Sequence, residues 1–257
     1  MSQKHKNNFI KFLGTAGARF VMIKQLRASG GIWISCGGVN LLVDPGPGSI
    51  VRCAHSKPKL DPCQLDGILL THRHLDHSSD INVMIEAMTE GGFKKRGVVF
   101  CPEDGLKQDS VILRYAIDFP EKIEILKADE KYSLGEFEFM TSMRHIHPAE
   151  TYGIKFKMNG TSVSILTDTR YFKELEDFYK TDLLIISVVF AEPRPGVDHL
   201  SVFDARMILC DTRPKKAVLT HFGMTMLKAG PRLLAERLSK ETGTEVVAAY
   251  DGMTLNI

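Results

Sequence analysis

The sequence predicts an α/β or α+β protein in which sheets are covered by helices. Of its 257 residues, 44% are hydrophobic and 25% are charged, which is the balance of an ordinary folded protein with a buried core. Strand-length apolar segments separated by glycine dominate the first half, whereas strands and amphipathic helices alternate toward the end. No stretch rich in proline, glycine or serine divides the chain, so we expect one domain over residues 1–257.

The first elements follow from apolar segments and turn residues. Residues 32–35 and 40–44 flank a Gly-Gly turn, which predicts a β-hairpin. After a polar loop, residues 66–70 form an apolar run typical of a buried strand. A helix is predicted from Asp80 onward, because the apolar residues that follow share one helical face. These residues are Ile81, Met84, Ile85 and Met88.

The remaining elements are predicted in the same way. Residues 98–101 indicate a strand, and residues 109–118 indicate a helix whose Val111, Ile112 and Tyr115 face inward. A strand-rich region follows up to residue 167, after which strands and helices alternate. The expected later elements are strands at 183–189, 217–220 and near Val246 and Leu255, and helices at 201–210 and 231–240.

Charge and apolar content exclude several classes of function. The formal net charge is only +2 and the basic residues are scattered, so the chain has no strong nucleic-acid signature. No apolar run approaches the roughly 20 residues of a membrane helix, and no secretory signal is recognisable, so we expect a cytoplasmic protein without membrane contact. The five cysteines are odd in number and contain no C-x-x-C pair, which argues against a disulfide framework.

Three expected buried strands end in the same local pattern. In each of them, Leu-Thr precedes a residue that can bind a metal ion, namely His72, Asp168 or His221. The end of a strand is a rigid position from which a side chain projects into a cleft. We therefore expect these three strand ends to converge on one site.

The first of these strand ends continues into a segment dense in metal-ligand types, from Thr71 to His77. His72 and His74 point the same way in extended geometry and can share one ion. Asp76 and His77 lie beyond that pair and are suited to a second ion, because so short a segment does not surround a single tetrahedral centre comfortably.

Two divalent ions require further ligands from elsewhere in the chain. His147, Asp168 and His221 are the natural suppliers, although His145 lies two residues from His147 and is its alternative. A carboxylate has two oxygens and is the group best suited to bridge two ions ~3.5 to 4 Å apart.

The segment from Thr71 to His77 resembles the signature of the metallo-β-lactamase superfamily. Other residues fall in the order of that superfamily's remaining motifs, namely Asp44, His147, Asp168 and His221. The resemblance implies a four-layer αββα sandwich with a dinuclear site at its edge, and it favours His147 over His145. The ligands it implies are His72, His74 and His147 for one ion, Asp76, His77 and His221 for the other, and Asp168 with a hydroxide between them. Two Zn, Mn or Fe ions suit these ligand types.

A further resemblance narrows the branch of the superfamily. Residues 147–156 are similar to the third motif of ribonuclease Z and its phosphodiesterase relatives, and residues 198–201 are similar to their catalytic histidine segment. The resemblance implies that His199 protonates the leaving alkoxide, whereas the alternative is that it helps to cap the helix near Ser201. Only 21 residues run from His147 to Asp168, which is too short for the arm of ribonuclease Z, so the small-substrate phosphodiesterases are the better match.

These expectations combine into one function. Two dications outweigh the charges of Asp76, Asp168 and one hydroxide, and the resulting positive site favours a small anionic substrate. We therefore expect a dinuclear metal-dependent hydrolase that cleaves small or nucleotide-like phosphodiesters by attack of the bridging hydroxide. Asp76 and His199 are expected to be essential for catalysis, and Arg170 or Arg194 is a candidate contact for the phosphate.

Two other classes of function remain open. A carboxylic ester, lactone or thioester hydrolase would use the same scaffold and depend less on His199. A metal-binding protein without catalysis is the third class. Separately, Cys53, His55 and Cys63 are candidates for an additional metal site, although their irregular spacing favours free thiols.

Overall fold

Two seven-stranded β-sheets lie face to face in the computed structural model, which describes residues 8–17, 19–107 and 109–257. In chain order, the strands are β1 (Phe9–Phe12), β2 (Ile32–Cys36), β3 (Val39–Val43), β4 (Gly67–Leu69), β5 (Val98–Cys101), β6 (Lys122–Ile125), β7 (Lys131–Leu134), β8 (Phe137–Thr141), β9 (Ile154–Met158), β10 (Thr161–Leu166), β11 (Leu183–Ser187), β12 (Lys216–Thr220), β13 (Glu245–Ala248) and β14 (Thr254–Asn256). The first sheet has the order β14-β1-β2-β3-β4-β5-β6, and the second has the order β13-β12-β11-β10-β9-β8-β7.

Each sheet is antiparallel in one half and parallel in the other. In the first sheet, β14, β1, β2 and β3 pair antiparallel, whereas β3, β4, β5 and β6 pair parallel. In the second sheet, β7, β8, β9 and β10 pair antiparallel, whereas β10, β11, β12 and β13 pair parallel. Parallel strands end at a common edge, and in sheets of this kind that edge is where ligands bind.

Helices cover the outer faces of both sheets. They are α1 (Phe20–Ile23), α2 (Ser49–His55), α3 (Leu75–Ser78), α4 (Ile81–Met88), α5 (Leu175–Phe178), α6 (Val202–Thr212), α7 (Met224–Ala229) and α8 (Pro231–Thr242). One apolar core lies between the sheets, a second lies between the second sheet and α5 to α8, and a third lies between the first sheet and α2 and α4. The expected four-layer αββα sandwich is confirmed. Within the described ranges, no helix is long and apolar enough to cross a membrane.

Alternation along the strands explains why each sheet separates two cores. On β2, Ile32 and Ile34 face the core between the sheets, while Trp33 faces the core beneath the helices. On β8, Phe137 and Phe139 face the same inner core. Successive side chains of a strand point to opposite faces of the sheet. A sheet whose strands have apolar residues at both odd and even positions is therefore covered on both faces.

The hairpin and the first long helix form where the sequence predicts them. The hairpin is β2 and β3, which turn at Gly37 and Gly38, both with positive φ angles. The helix is α4, and the four apolar residues on its predicted face are all buried. Local patterning was sufficient in both cases, because the turn and the apolar face are formed by residues close together in the chain.

The expected helix at residues 109–118 is wrong. That segment contains a single 3₁₀ turn at Arg114–Ala116, and Tyr115 is exposed rather than buried. The side chain of Asn82 on α4 donates to the carbonyl of Val111 and accepts from the backbone N–H of Leu113. These backbone groups are thereby paired with a side chain from another element instead of with one another.

The stretch expected as a polar loop before β4 contains helix α2. Only Ser49 and Cys53 of this helix are buried, so it lacks the periodic apolar face that predicts a helix from sequence. Its burial depends on the first sheet, against which Cys53 packs.

Candidate metal centre

Side chains from both sheets meet at the edge where the parallel strands end. In the first sheet, Asp44 directly follows β3 and His72 lies just beyond β4. In the second sheet, Asp168 lies just beyond β10 and His221 directly follows β12. The three strand ends that share the Leu-Thr pattern are thus brought to one site.

A first group of ligand atoms comes from His72, His74 and His147, which lie within 4.8 Å of one another. Nε2 of His147 is 3.0 Å from Nδ1 of His74. The ring of His72 meets the rings of the other two at nearly right angles. Three imidazoles that converge in this way are suited to bind one metal ion.

A second group consists of Asp76, His77, Asp168 and His221, whose ligand atoms also lie within 4.8 Å of one another. Asp76 Oδ2 is 3.6 Å from His77 Nε2 and 3.5 Å from His221 Nε2. Asp76 and His77 share the short helix α3, which turns both side chains toward the strand ends.

Asp168 lies between the two groups. Its Oδ2 atom is 3.9 Å from Nε2 of His72 in the first group. The same oxygen is 3.5 Å from Nε2 of His77 and 3.3 Å from Nε2 of His221 in the second group. A single carboxylate therefore occupies the position that a bridging ligand would need.

The polar atoms of this cluster are buried without hydrogen-bond partners. Six such atoms belong to it: Nε2 of His72, His77 and His221, Nδ1 of His199, Oδ2 of Asp76 and Oδ1 of Asp168. Each unpaired buried polar group costs about 1–3 kcal/mol unless a ligand satisfies it. Imidazole nitrogens and carboxylate oxygens are the donors that Zn²⁺ and similar divalent ions take, so these residues fit a metal centre.

Asp44 orients the histidines without joining either group. Nδ1 of His77 donates to Asp44 Oδ2 at 2.9 Å, and the backbone N–H and hydroxyl of Thr71 donate to the same carboxylate at 2.7 and 2.8 Å. The Thr71 hydroxyl in turn lies 3.1 Å from Nδ1 of His72, from which it accepts. Both histidines therefore carry their proton on Nδ1 and present Nε2 to the cluster.

His147, rather than its neighbour His145, faces the cluster. Nδ1 of His147 donates to the backbone carbonyl of Asp198 at 3.0 Å, which leaves Nε2 for the first group. His145 is buried, and its ring lies between Tyr179 and the backbone of Asp168. The two alternatives in the sequence thus have different positions and different partners.

His145 supports the position of Asp168. Its Nδ1 donates to the backbone carbonyl of Asp168 at 3.1 Å, and the hydroxyl of Tyr179 donates to its Nε2 at 2.8 Å. Burial lowers the pKa of His145 to about 4, so the ring is neutral and both bonds persist near pH 7. Sequence reasoning missed Tyr179, because no motif surrounds a tyrosine that follows the short helix α5.

His199 also reaches the cluster. Its Nδ1 lies 3.5 Å from Oδ2 of Asp168, and its ring packs against that of His147 with centroids 5.1 Å apart. The N-cap of α6 is formed by Ser201 in a capping box with Asp204. His199 takes no part in that cap, so the capping alternative is wrong.

Two arginines lie at the rim of the site. Nε of Arg170 is 3.8 Å from Oδ1 of Asp198, and this side chain is mostly exposed. The guanidinium of Arg194 lies over the ring of Phe190, whose edge approaches His199. Both arginines therefore contact residues that themselves contact the cluster histidines.

The backbone at His221 depends on a glycine. His221 has a φ of 61°, which is an uncommon conformation for a side chain of its size. A Cβ atom on Gly17 would lie 2.2 Å from the carbonyl oxygen of His221. The N–H of Gly17 donates to Phe222, so the loop at residues 14–17 packs closely against the strand end that carries His221.

The protonation states differ between the two groups. Burial lowers the pKa of His72, His74 and His147, so the first group is neutral and ready to bind a cation. Burial alone would lower the pKa of His77, but the carboxylates of Asp76 and Asp44 raise it well above its usual value. Burial alone would raise the pKa of Asp168, but His221 and His199 hold it well below its usual range.

Cys53, His55 and Cys63 do not form a metal site in the part of the chain that the structure describes. The two groups above are the candidate metal clusters found there. Both thiols are free, and burial raises the pKa of Cys53 to about 12.

Comparison with known proteins identifies the family. The model of the beta-lactamase superfamily domain matches residues 39–222, which is more than two thirds of the chain. The chain belongs to this superfamily. The matched segment contains both ligand groups and Asp44, and the resemblance to the metallo-β-lactamase superfamily is confirmed.

Relatives place this superfamily member near ribonuclease Z. Protein MJ1374 of Methanocaldococcus jannaschii is 29% identical over 96% of the chain and 94% of its own length. Ribonuclease Z of Thermoplasma acidophilum is 31% identical over 57% of the chain, and the match spans 47% of that enzyme. The chain is thus a metallo-β-lactamase superfamily hydrolase that is similar to ribonuclease Z over about half of its length.

Solved structures share the whole architecture of this superfamily member. The metallo-beta-lactamase fold protein YhfI from Bacillus subtilis is 20% identical, with a TM-score of 0.78 over 98% of the chain and 100% of its own. A diphosphatase from the PhnP family is 18% identical, with a TM-score of 0.72 over 98% of the chain and 97% of its own. At these identities the likeness shows the fold.

The two ligand groups should lose bound cations at different pH values. A proton on His77 competes with a cation, and its raised pKa means that this proton is taken up already above pH 6.5, the ordinary value of a histidine. The lowered pKa values of the first group mean that its affinity persists to lower pH. Zinc content after dialysis at successive pH values should fall in two steps, with the second group emptied first.

A His55→Gln variant provides the control for this titration. It removes an exposed histidine outside both groups and should leave both steps unchanged. Loss of all zinc in one step would contradict the difference in protonation.

Removal of the Tyr179 hydroxyl should destabilise the protein. A Tyr179→Phe substitution leaves buried Nε2 of His145 without its donor, and we expect a loss of about 1–3 kcal/mol in the free energy of unfolding. Tyr115→Phe is the matched control, because its hydroxyl bonds to Glu86 at an exposed position. Denaturant unfolding that gave equal losses for both variants would argue against a buried support for Asp168.

Proposed function

We propose that the chain is a dinuclear metal-dependent phosphodiesterase that acts on small or nucleotide-like phosphodiesters. The observation that carries this proposal is the position of Asp168, whose Oδ2 atom lies within 3.9 Å of histidine nitrogens from both ligand groups. One group comprises His72, His74 and His147, and the other comprises Asp76, His77, Asp168 and His221. Zn, Mn or Fe suits these donors.

Bound divalent ions would supply the Lewis acidity that activates water and stabilises negative charge on phosphoryl oxygens. The chain contributes the arrangement around them. Asp44 and Thr71 hold His77 and His72 in one tautomer, and the Asp198 carbonyl does the same for His147. These supports keep each Nε2 aimed at the site before substrate arrives, so little reorganisation is needed during the reaction.

His199 is the proposed proton donor to the leaving oxygen. Burial lowers the pKa of His199 overall, and the nearby Asp168 carboxylate only partly opposes this shift. An arriving phosphodiester adds further negative charge, which favours the protonated imidazole at the moment when it is needed. Its ring is held against His147 and Phe190, so it is oriented by packing rather than free to rotate.

The substrate is proposed to be a small anion. Arg170 and Arg194 place positive charge at the rim of the site. In the described structure, the segment between His147 and Asp168 is mostly taken up by the β9 and β10 hairpin, which leaves no room there for a long RNA-gripping arm. A ribonuclease Z and a PhnP-family diphosphatase among the similar proteins support phosphoryl chemistry of this kind.

An Asp76→Ala substitution should abolish metal-dependent turnover. We expect hydrolysis of bis(p-nitrophenyl) phosphate by the Zn- or Mn-loaded protein, and a fall to below about 1% of that rate in the variant, because the second group loses its carboxylate. Asp177→Ala is the control for loss of a carboxylate, since this side chain is highly exposed. Equal rates in wild type and Asp76→Ala would contradict the proposed site.

The role of His199 can be tested by the choice of leaving group. His199→Ala should slow hydrolysis of a dinucleotide by about 10²–10⁴-fold, because its sugar alkoxide needs a proton. The same variant should cleave the p-nitrophenyl diester almost normally, since p-nitrophenolate leaves without one. Equal losses on both substrates would rule out proton donation by His199.

Turnover of p-nitrophenyl acetate or a lactone, without turnover of either diester, would instead identify a carbonyl hydrolase.

A further inference from the structure

A second cavity lies on the outer face of the first sheet, away from the metal centre. Its volume is about 250 Å³, and it is enclosed by β1, the end of α2 and the turn before β14. None of the metal-group residues lines it. The polar and charged residues that line it are Lys11, Arg52, His55, Ser56, Lys57 and Asp251.

Positive charge exceeds negative charge among the residues that line this cavity. Within the described chain, none of its three cationic side chains, Lys11, Arg52 and Lys57, forms an ion pair with a carboxylate. Among the described residues, Asp251 is the one acidic residue in the lining, and its two oxygens accept from the Thr15 hydroxyl and the Ala28 N–H. Three cationic side chains and one carboxylate leave an excess of positive charge in a half-open cavity.

Lys11 is the most informative of these cations, because a lysine is rarely buried without an acidic partner. Its side chain is only 3% exposed, and its ammonium donates to the carbonyls of Lys57 and Gly252 and to the Thr254 hydroxyl. Burial, and then the charge of Arg52, lower its pKa. A charge kept in this position at such a cost would be stabilised by an anion in the cavity.

Arg52 provides the donors for such an anion. Its Nε donates to the carbonyl of Leu13, which fixes the plane of the guanidinium, and its terminal nitrogens make no hydrogen bond to any other described residue. One of these nitrogens lies close to Gly252 in the cavity wall. A guanidinium held in this way offers a pair of donors that match two oxygens of a phosphate.

We propose that this cavity binds a phosphate group, either inorganic phosphate or that of a small phosphomonoester. A dianion matches the excess charge, and the volume admits a phosphate with a few further atoms but not a dinucleotide. The donors are the terminal nitrogens of the Arg52 guanidinium, and Lys57 and Lys11, which line the same cavity, add positive charge.

The phosphate site is connected to the metal centre through one short segment. Arg52 bonds to Leu13, Asp251 bonds to Thr15, and the N–H of Phe222 donates to the carbonyl of Thr15. His221, a member of the second ligand group, immediately precedes Phe222. We therefore expect that an anion bound in the cavity affects the loop at residues 14–17, against which His221 packs.

Calorimetric titration with inorganic phosphate tests this proposal. In the metal-loaded protein we expect two classes of bound phosphate, one of which remains after the metal ions are removed with a chelator. Arg52→Gln should weaken this metal-independent class about tenfold or more, because a charge-assisted pair of hydrogen bonds is lost. Lys59→Gln is the control, since this exposed lysine lies near the same loop but does not line the cavity.

A second variant separates binding from folding. Lys57→Gln removes an exposed cation whose side chain bonds to no other residue in the described ranges. The phosphate affinity of this variant can therefore be measured even if Arg52→Gln unfolds. A parallel titration with glycerol 3-phosphate distinguishes the two sources of the phosphate group. Tighter binding of glycerol 3-phosphate would indicate a phosphomonoester, and tighter binding of inorganic phosphate would indicate the free ion. Absence of a metal-independent class, or affinities unchanged in both variants, would overturn the proposal.

Discussion

The buried carboxylate of Asp168 is the interaction on which the site depends. Its Oδ2 atom has histidine nitrogens of His72, His77, His199 and His221 within 3.9 Å, and its side chain is almost completely shielded from water. A carboxylate in such surroundings is tolerated only when positive charge lies around it. The raised pKa of His77 indicates that its protonated imidazole supplies such charge in the free protein, and a bound cation is suited to replace that proton.

Support for the ligands comes mostly from groups that belong to the scaffold. Asp44 and Thr71 orient two histidines, the backbone of Asp198 orients a third, and His145 holds the backbone of Asp168. These partners lie at strand ends or in loops packed against them, so the precision of the site derives from the two sheets. The positive φ angles of Asp44 and His221 are local costs of this arrangement.

The metal centre and the phosphate cavity lie at opposite ends of one short chain segment. Residues 13–17 contact Arg52 and Asp251 on one side and the strand end of His221 on the other. An active site built at a sheet edge is sensitive to the loops that pack on it, because the strands themselves are rigid. Through this segment, an anion bound on the outer face of the first sheet can affect the position of His221 in the second ligand group.

The sequence by itself determined the hairpin of β2 and β3, the inward face of α4, and the clustering of metal-ligand types from Thr71 to His77, because these depend on neighbours in the chain. It also indicated that three strand ends would meet. Tertiary structure alone decided that Asn82 bonds to the backbone of the non-helical segment 109–118 and that His145 turns toward Tyr179. It likewise decided that Lys11, Arg52 and Asp251 enclose a cavity. Those outcomes depend on contacts between distant segments, which local patterns do not contain.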